Sequence, residues 1–205
     1  MGRLQTFDNS VVVQAARDLF WDKGYEAASL ADLEAATGLG RSSLYHAFGS
    51  KRGLFDAAVT DYLDTVIRPR LAVLRAGTAD ASALLEYFDG LIRAMASLAD
   101  DSPRTGCLLV NCAAGLAGHD DPARAVVESY RVELADALRH ALKSASASAP
   151  TAADADPVRL DARVRTLASL SMSAMLVARI NREEAIALLS TAASQVRTWF
   201  PDSPT

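Results

Sequence analysis

Between Gly38 and Gly53 the chain carries Arg41, Ser42, Ser43, Tyr45, His46, Lys51 and Arg52, with no acid among them. These are donors suited to phosphate oxygens and base edges. A guanidinium can grip guanine O6 and N7 as a fork, hydroxyls serve bases or phosphates, and Lys and His add positive charge. Leu44 and Phe48, four apart, take the buried side of a short helix and leave the polar set exposed. No other grouping has chemistry as well defined. GLGRSS (38–43) has the glycines of a phosphate loop, but a helix precedes it where such a loop needs a strand. His46, His119 and His140 are scattered and make no metal spacing with Cys107 and Cys112. No Ser/His/Asp or Cys/His constellation forms a nucleophilic motif, so neither an enzyme nor a cofactor is expected.

The elements that position this set are legible around it. Ser29 with Asp32 three residues on has the capping-box arrangement, opening a helix that carries Leu30, Leu33 and Ala36. Gly38 closes that helix with the residue type that tolerates a left-handed C-cap. A tight turn leads into Arg41–Phe48, and Ser50 opens the helix after it. Upstream, Asp8 is the expected N-cap of a helix over 9–23, with Phe7 and Val12 as a hydrophobic staple and Val12, Ala16, Leu19 and Phe20 facing inwards. Two short helices joined by a turn, the second exposing Arg, hydroxyls, Tyr and His, form what a major-groove reader needs.

The stretch Ser29–Leu54 resembles the helix-turn-helix of the tetracycline-repressor (TetR) family of transcription regulators. Its pattern runs Thr/Ser-x-x-x-Ile-Ala-x-x-Ala-Gly-Val-Ser-x-Gly-x-Leu-Tyr-x-x-Phe-x-Ser-Lys-x-x-Leu. Ser29, Leu33, Ala36 (one step off), Gly38, Leu39, Leu44, Tyr45, Phe48, Ser50, Lys51 and Leu54 carry the match. Gly40 departs from the usual Ser N-cap, a change that costs only a few tenths of a kcal/mol. Ala47 departs from the usual aromatic or His and removes one phosphate contact. The resemblance is specific over about the first 65 residues and architectural beyond. It implies an all-α chain, with a three-helix DNA-binding domain over 1–52 and a ligand-binding and dimerisation domain over 53–205. The implied partners are double-stranded operator DNA, a small-molecule effector and a second copy of the chain. On this reading Arg41 is the base reader and Ser42 and Ser43 reach bases or phosphates. Ser29, Tyr45, His46 and Lys51 then hold the backbone, and Arg3 reaches the minor groove.

Length and charge agree with that division. The 205 residues suffice for one or two domains, half of them are apolar, and no run approaches the ~18 needed to span a bilayer. The N-terminal MGRLQTFDNS has no signal-type hydrophobic segment, so a cytoplasmic protein is expected. The net charge of −4 does not argue against nucleic acid, because residues 1–55 hold six basic and six acidic side chains sorted by position. The acids lie on the first two helices and the bases cluster about the third.

Beyond residue 50 the pattern is helical throughout. A fourth helix runs to Val66, where Pro69 breaks or kinks it. Further helices are expected over 81–99, 103–116 (buried on all sides), 122–142, 158–180 and 182–200, with a mobile loop over 144–157. The last two have apolar residues on more than one face. Either they belong to a wide single core, or small residues (Ser169, Ser173, Ala174, Ala178) permit a four-helix dimer interface, the arrangement the resemblance implies. Tyr62, Phe88, Ile92, Met95, Cys107, Val110, Asn111, Tyr130 and Met172 are candidate pocket residues, most of them as readily plain core. PRTGCLLVN also resembles a segment of electrophile-sensing TetR relatives, which would make Cys107 a sensing thiol, stabilised as thiolate by its helix N-terminus and Arg104. Cys112, a turn deeper, is expected to react more slowly.

Overall fold

The computed structural model describes residues 8–76, 80–99, 102–148 and 156–201, and among these every regular element is helical. Phe7 of the expected staple, Arg3, and half of the expected loop (149–155) lie outside the described residues.

Helix α1 (Asn9–Ala27) starts at Asp8, whose carboxylate accepts from the Ser10 amide at 3.0 Å. It buries Val12, Ala16, Arg17, Phe20 and Trp21. At Gly24 the backbone turns to φ 78°, ψ 169°, a conformation only glycine adopts cheaply, and one further turn follows before Ala28. Helix α2 (Leu30–Thr37) opens on the complete capping box of Ser29 and Asp32 and ends at Gly38 with φ 70°. Helix α3 (Arg41–Phe48) sits across it, held by Leu33, Leu39 and Leu44. Helix α4 (Lys51–Tyr62) starts on Ser50, whose hydroxyl accepts from the Gly53 amide at 3.0 Å. It packs along α1 through Leu54, Phe55, Ala58 and Tyr62, with Phe55 edge-on to Phe20 at 5.1 Å.

Pro69 does not end this helix. A π-helical stretch (Leu63–Ile67) follows α4, with the Arg68 amide bonded five residues back to the Leu63 carbonyl. Helix α5 (Arg68–Arg75) then continues with proline in its first turn. The widened turn takes up the hydrogen-bond shift that proline's missing N–H imposes, so the chain stays helical to Arg75.

Helices α6 (Ser82–Ala96), α8 (Asp121–Ser148), α9 (Pro157–Val177) and α10 (Arg182–Trp199) make the body. Helix α6 lies against α5 and α10, and α9 lies between α8 and α10. Helix α8 runs to 148, so residues 144–148 are helix rather than loop.

The run expected as one helix over 103–116 is shorter. Gly106 has φ 79° and lies so close to α9 that a Cβ there would meet the Met175 carbonyl oxygen at 2.5 Å. The chain therefore becomes helical only at α7 (Leu108–Ala114), with Cys107 as its N-cap, and a 3₁₀ turn (Leu116–Gly118) follows. Nor is α7 buried all round: Leu108, Leu109, Val110 and Cys112 are buried, while Ala113 and Ala114 face solvent.

Candidate nucleic-acid interface

Leu44 is the buried residue of α3, and Arg41, Ser42, Tyr45 and His46 are exposed, with Ser43 half-buried. The Arg41 guanidinium lies 5.5 Å from the Tyr45 ring centre, an arrangement that stacks the two along one helical face. Gly40 offers no side-chain cap, yet the first amide of α3 is not left bare: the Arg41 N–H donates to the Glu34 carboxylate. Sequence reasoning missed Glu34. The available signal was an acid where the helix-turn-helix pattern has alanine, paired with a glycine where it has the capping serine.

Lys51 stands at the start of α4. Its ammonium lies 4.6 Å from the Tyr25 ring centre and donates to the Glu26 carbonyl at 3.5 Å. Partial burial pulls its pKa below the ordinary lysine value, opposed by the Glu26 charge. Ser29 is less free than its type suggests. Its hydroxyl accepts from the Asp32 amide at 3.1 Å and donates to the Asp32 carboxylate at 2.7 Å. Lys23 meets the other oxygen of Asp32 at 2.7 Å, and that bond, with those from Ser29, holds the carboxyl well below its usual range. The structure thus gathers Arg41, Ser42, Tyr45 and His46 on one face, with Ser43 behind them, Lys51 at the α3–α4 turn and Ser29 engaged in its own cap.

Polar links tie this head to the body. Buried Arg17 on α1 meets Asp61 on α4 at 2.7 Å and Asp18 at 2.8 Å, and Asp18 meets Arg104 of the α6–α7 loop at 2.6 Å. Arg179 donates to the Trp21 and Asp22 carbonyls at 2.8 and 2.6 Å, and His119 bonds Glu26 at 2.8 Å. Arg52 bridges Asp56 and Asp120. The Asp120 carboxyl lies below its ordinary range, chiefly through the Ala123 amide and then through Arg52.

The pocket candidates divide among three places. Tyr62, Cys107 and Tyr130 surround one small inner cavity, together with Tyr87, Ser171 and Arg70, which sequence reasoning did not select. The Tyr87 and Ser171 hydroxyls bond at 3.2 Å. Burial pushes all three phenols above the ordinary tyrosine value, so they stand as neutral donors. Asn111 lines instead a cavity of about 430 Å³ beneath the tail of α1, and Met95 lines one of about 270 Å³ beside Trp21. Phe88 is fully buried, edge-on to Tyr87 at 5.1 Å. Ile92 and Met172 pack half-buried against the core, Val110 is buried in it, and none of these four lines any of the three cavities.

Cys107 is 1% exposed and precedes its helix, while Arg104 is engaged by Asp18, so the Arg104 stabiliser expected for a thiolate is committed elsewhere. Burial pushes the Cys112 thiol up to about 11. Only the thiolate reacts, so at pH 8 Cys112 in the folded chain should alkylate about a hundredfold more slowly than an ordinary thiol. Its rate should climb with pH up to about 11. Mass-spectrometric labelling across pH 7–10 measures this, and a plateau near pH 9 would contradict the buried environment.

Three kinds of likeness bear on this arrangement. Residues 12–58 match the family model described as bacterial regulatory proteins, tetR family. An uncharacterised HTH-type transcriptional regulator of Bacillus subtilis, YezE, is 33% identical over 142 residues, 69% of this chain and 72% of its own length. The HTH-type transcriptional repressor ComR of Escherichia coli is 39% identical over 54% of this chain and 51% of its own. Among solved structures, a cysteine mutant of the TetR family transcriptional regulator CifR, complexed with 26-bp double-strand operator DNA, superposes with a TM-score of 0.78. It is 31% identical and covers 94% of this chain and 98% of its own.

Proposed function

The chain belongs to the TetR family of bacterial regulatory proteins, and we propose that it represses transcription as a homodimer on a palindromic operator, from which a small molecule releases it. The observation that carries this is the exposed face of α3: Arg41, Ser42, Tyr45 and His46, seated on a buried Leu44 and flanked by Lys51. The CifR complex supports operator DNA as the partner. In this reading residues 1–52 form the reading head and 53–205 the body, with α4 shared between them. No helix among the described residues is long and apolar enough to cross a membrane. The protein works in the cytoplasm, where operator DNA lies, and its role is regulatory rather than enzymatic.

Arg41 reads a guanine in each half-site, Ser42 and Ser43 touch adjacent bases or phosphate, and Tyr45, His46 and Lys51 hold the backbone, while Ser29 serves through its cap on α2. Two heads about 34–36 Å apart meet successive major grooves on one side of the duplex. An effector that prefers another head spacing weakens binding by its differential affinity for the two arrangements.

Selection from a random duplex pool should return a palindrome. On that duplex Arg41→Ala should cost about 1–3 kcal/mol and relax preference at one base per half-site. Lys51→Ala should weaken all duplexes alike and flatten the salt dependence by about one unit of slope per head. Anisotropy titrations at several salt concentrations separate the two. If Arg41→Ala loses equally on selected and random duplex, Arg41 does not read bases.

A further inference from the structure

The cavity beside Trp21, of about 270 Å³, lies where the head meets the body. Arg17 and Trp21 reach it from α1, Arg70 from α5, Met95 from α6 and Arg104 from the loop before α7. Arg70 also lines the neighbouring tyrosine cavity, so one guanidinium serves both spaces.

The charge there is uneven. Arg17 and Arg104 are met by Asp18 and Asp61, two guanidiniums against two carboxylates. Arg70, half-buried, has no ion pair or hydrogen bond among the described residues. Its positive charge pulls the Tyr62 and Tyr87 phenols towards ionisation, but burial outweighs it and both stay neutral. Trp21 is only 4% exposed and its indole nitrogen is closed off from the cavity, so Trp21 serves there as apolar wall. An unpaired guanidinium, walled by Val66, Leu91, Leu98 and Met175, calls for one negative charge on an otherwise apolar body.

We propose that this cavity binds a small organic monocarboxylate, its carboxylate held by Arg70 and its hydrocarbon part against Val66, Leu91, Met95 and Met175. Two oxygens and a single charge match the fork of one unpaired guanidinium, where a phosphate dianion would leave charge unmet. The volume is at the small end for ligand sites, which run from about 300 Å³, so the body is an aromatic ring or a short chain. As an effector site this rests on the reading of the chain as a ligand-released regulator. The acid would touch the first helix of the head and three segments of the body at once, beside the Arg104–Asp18 pair that joins them.

The test titrates the whole protein, free of DNA, with benzoate, phenylacetate and hexanoate, each beside its primary amide, and with phenyl phosphate, followed by calorimetry. At least one acid should bind below about 1 mM and at least about tenfold more tightly than its amide. Arg70→Gln should erase that preference, and Arg70→Lys should keep part of it. Circular dichroism checks the variants. Should Arg70→Gln not fold, the acid–amide comparison on the wild type decides. Equal binding of acid and amide, tighter binding of phenyl phosphate, survival of the preference in Arg70→Gln, or no acid binding up to about 10 mM would each overturn the assignment. Operator affinity of the unliganded protein is measured separately. Failure to bind any duplex would sink the regulator reading, while the calorimetry judges the carboxylate site by itself. With both intact, the bound acid should lower operator affinity at least tenfold, and an unchanged affinity would remove its role as effector.

Discussion

Gly53→Ala should abolish operator binding while leaving the body of the protein folded. The added Cβ would lie 2.1 Å from the carbonyl oxygen of Phe48, the last residue of α3. That obstacle is backbone and cannot swing aside as a flexible side chain would. The turn between α3 and α4 is also fixed from its other side, because Ser50 caps α4 through the Gly53 amide at 3.0 Å. Relief therefore requires moving the end of α3 relative to α4, which sets the angle at which the exposed face of α3, with Arg41 and Tyr45, is presented. Overpacking a close contact costs about 1–3 kcal/mol in general, and a clash with backbone belongs at the upper end or beyond. An eight-residue helix has little stability of its own, so the loss falls on the head. Anisotropy on the selected duplex, with helix content followed by circular dichroism, makes the comparison. A Gly53→Ala protein of wild-type affinity would mean that α3 can shift on α4 without consequence, and the seat described for the reading helix would be wrong.

Gly53 also marks where sequence reading stopped. The motif Ser29–Leu54 placed the helix-turn-helix, its caps and its exposed face, because those features are local: Ser29 with Asp32, left-handed Gly38, and Leu44 on the buried side are all set within a few residues. Close approach of one backbone to another is not local. Nothing near Gly53 or Gly106 announces that Phe48 or Met175 lies against it. Gly106 accounts for the misplaced start of α7 and, through it, for the shift of Cys107 from the first helical turn to the cap. The same limit explains the pocket. Tyr62, Cys107 and Tyr130 were legible as apolar or aromatic residues on inward faces, yet Tyr87, Ser171 and Arg70, which complete their cavity, became candidates only once α5, α6 and α9 were placed together. A charged residue such as Arg70 reads as surface in one dimension. Its lack of a partner is a property of the fold.

The seam between head and body is polar and built from unlike contacts, which bears on how binding events could be relayed. Arg104, Arg179, His119 and Arg52 each cross it, and the first of these meets the same Asp18 that holds buried Arg17. Surface pairs of this type contribute little singly, about 0–1 kcal/mol. Their exchange therefore allows the head to move on the body at modest cost, whereas the aromatic packing of Phe20, Trp21, Phe55 and Tyr62 keeps α1 and α4 moving together.

The assembly proposed for the last two helices makes the other large prediction. Helix α9 exposes Ser169, Ser173 and Leu176, with Ile180 just beyond it, and α10 exposes Ala187, Ser190, Thr191 and Ser194. Leu176 is 45% exposed and Ile180 86%, large apolar side chains beside small ones that let a facing helix approach. Ala174 and Ala178, expected on the same surface, are buried within the protomer instead, so a charge at Ala174 would unfold the chain and say nothing of assembly. Leu176→Asp is the informative change, because the protomer alone can solvate it. A two-fold interface doubles every substitution. An unpaired buried charge costs about 3–5 kcal/mol, so the pair would remove about 6–10 kcal/mol from association, enough to carry a nanomolar dimer to the micromolar range or beyond. Light scattering should then give the mass of one chain, with helix content unchanged. Operator affinity should fall at least a thousandfold, since a lone head grips a single half-site, while weak salt-dependent binding to any duplex persists. A Leu176→Asp protein that stays dimeric, with its operator affinity intact, would move the interface off this face.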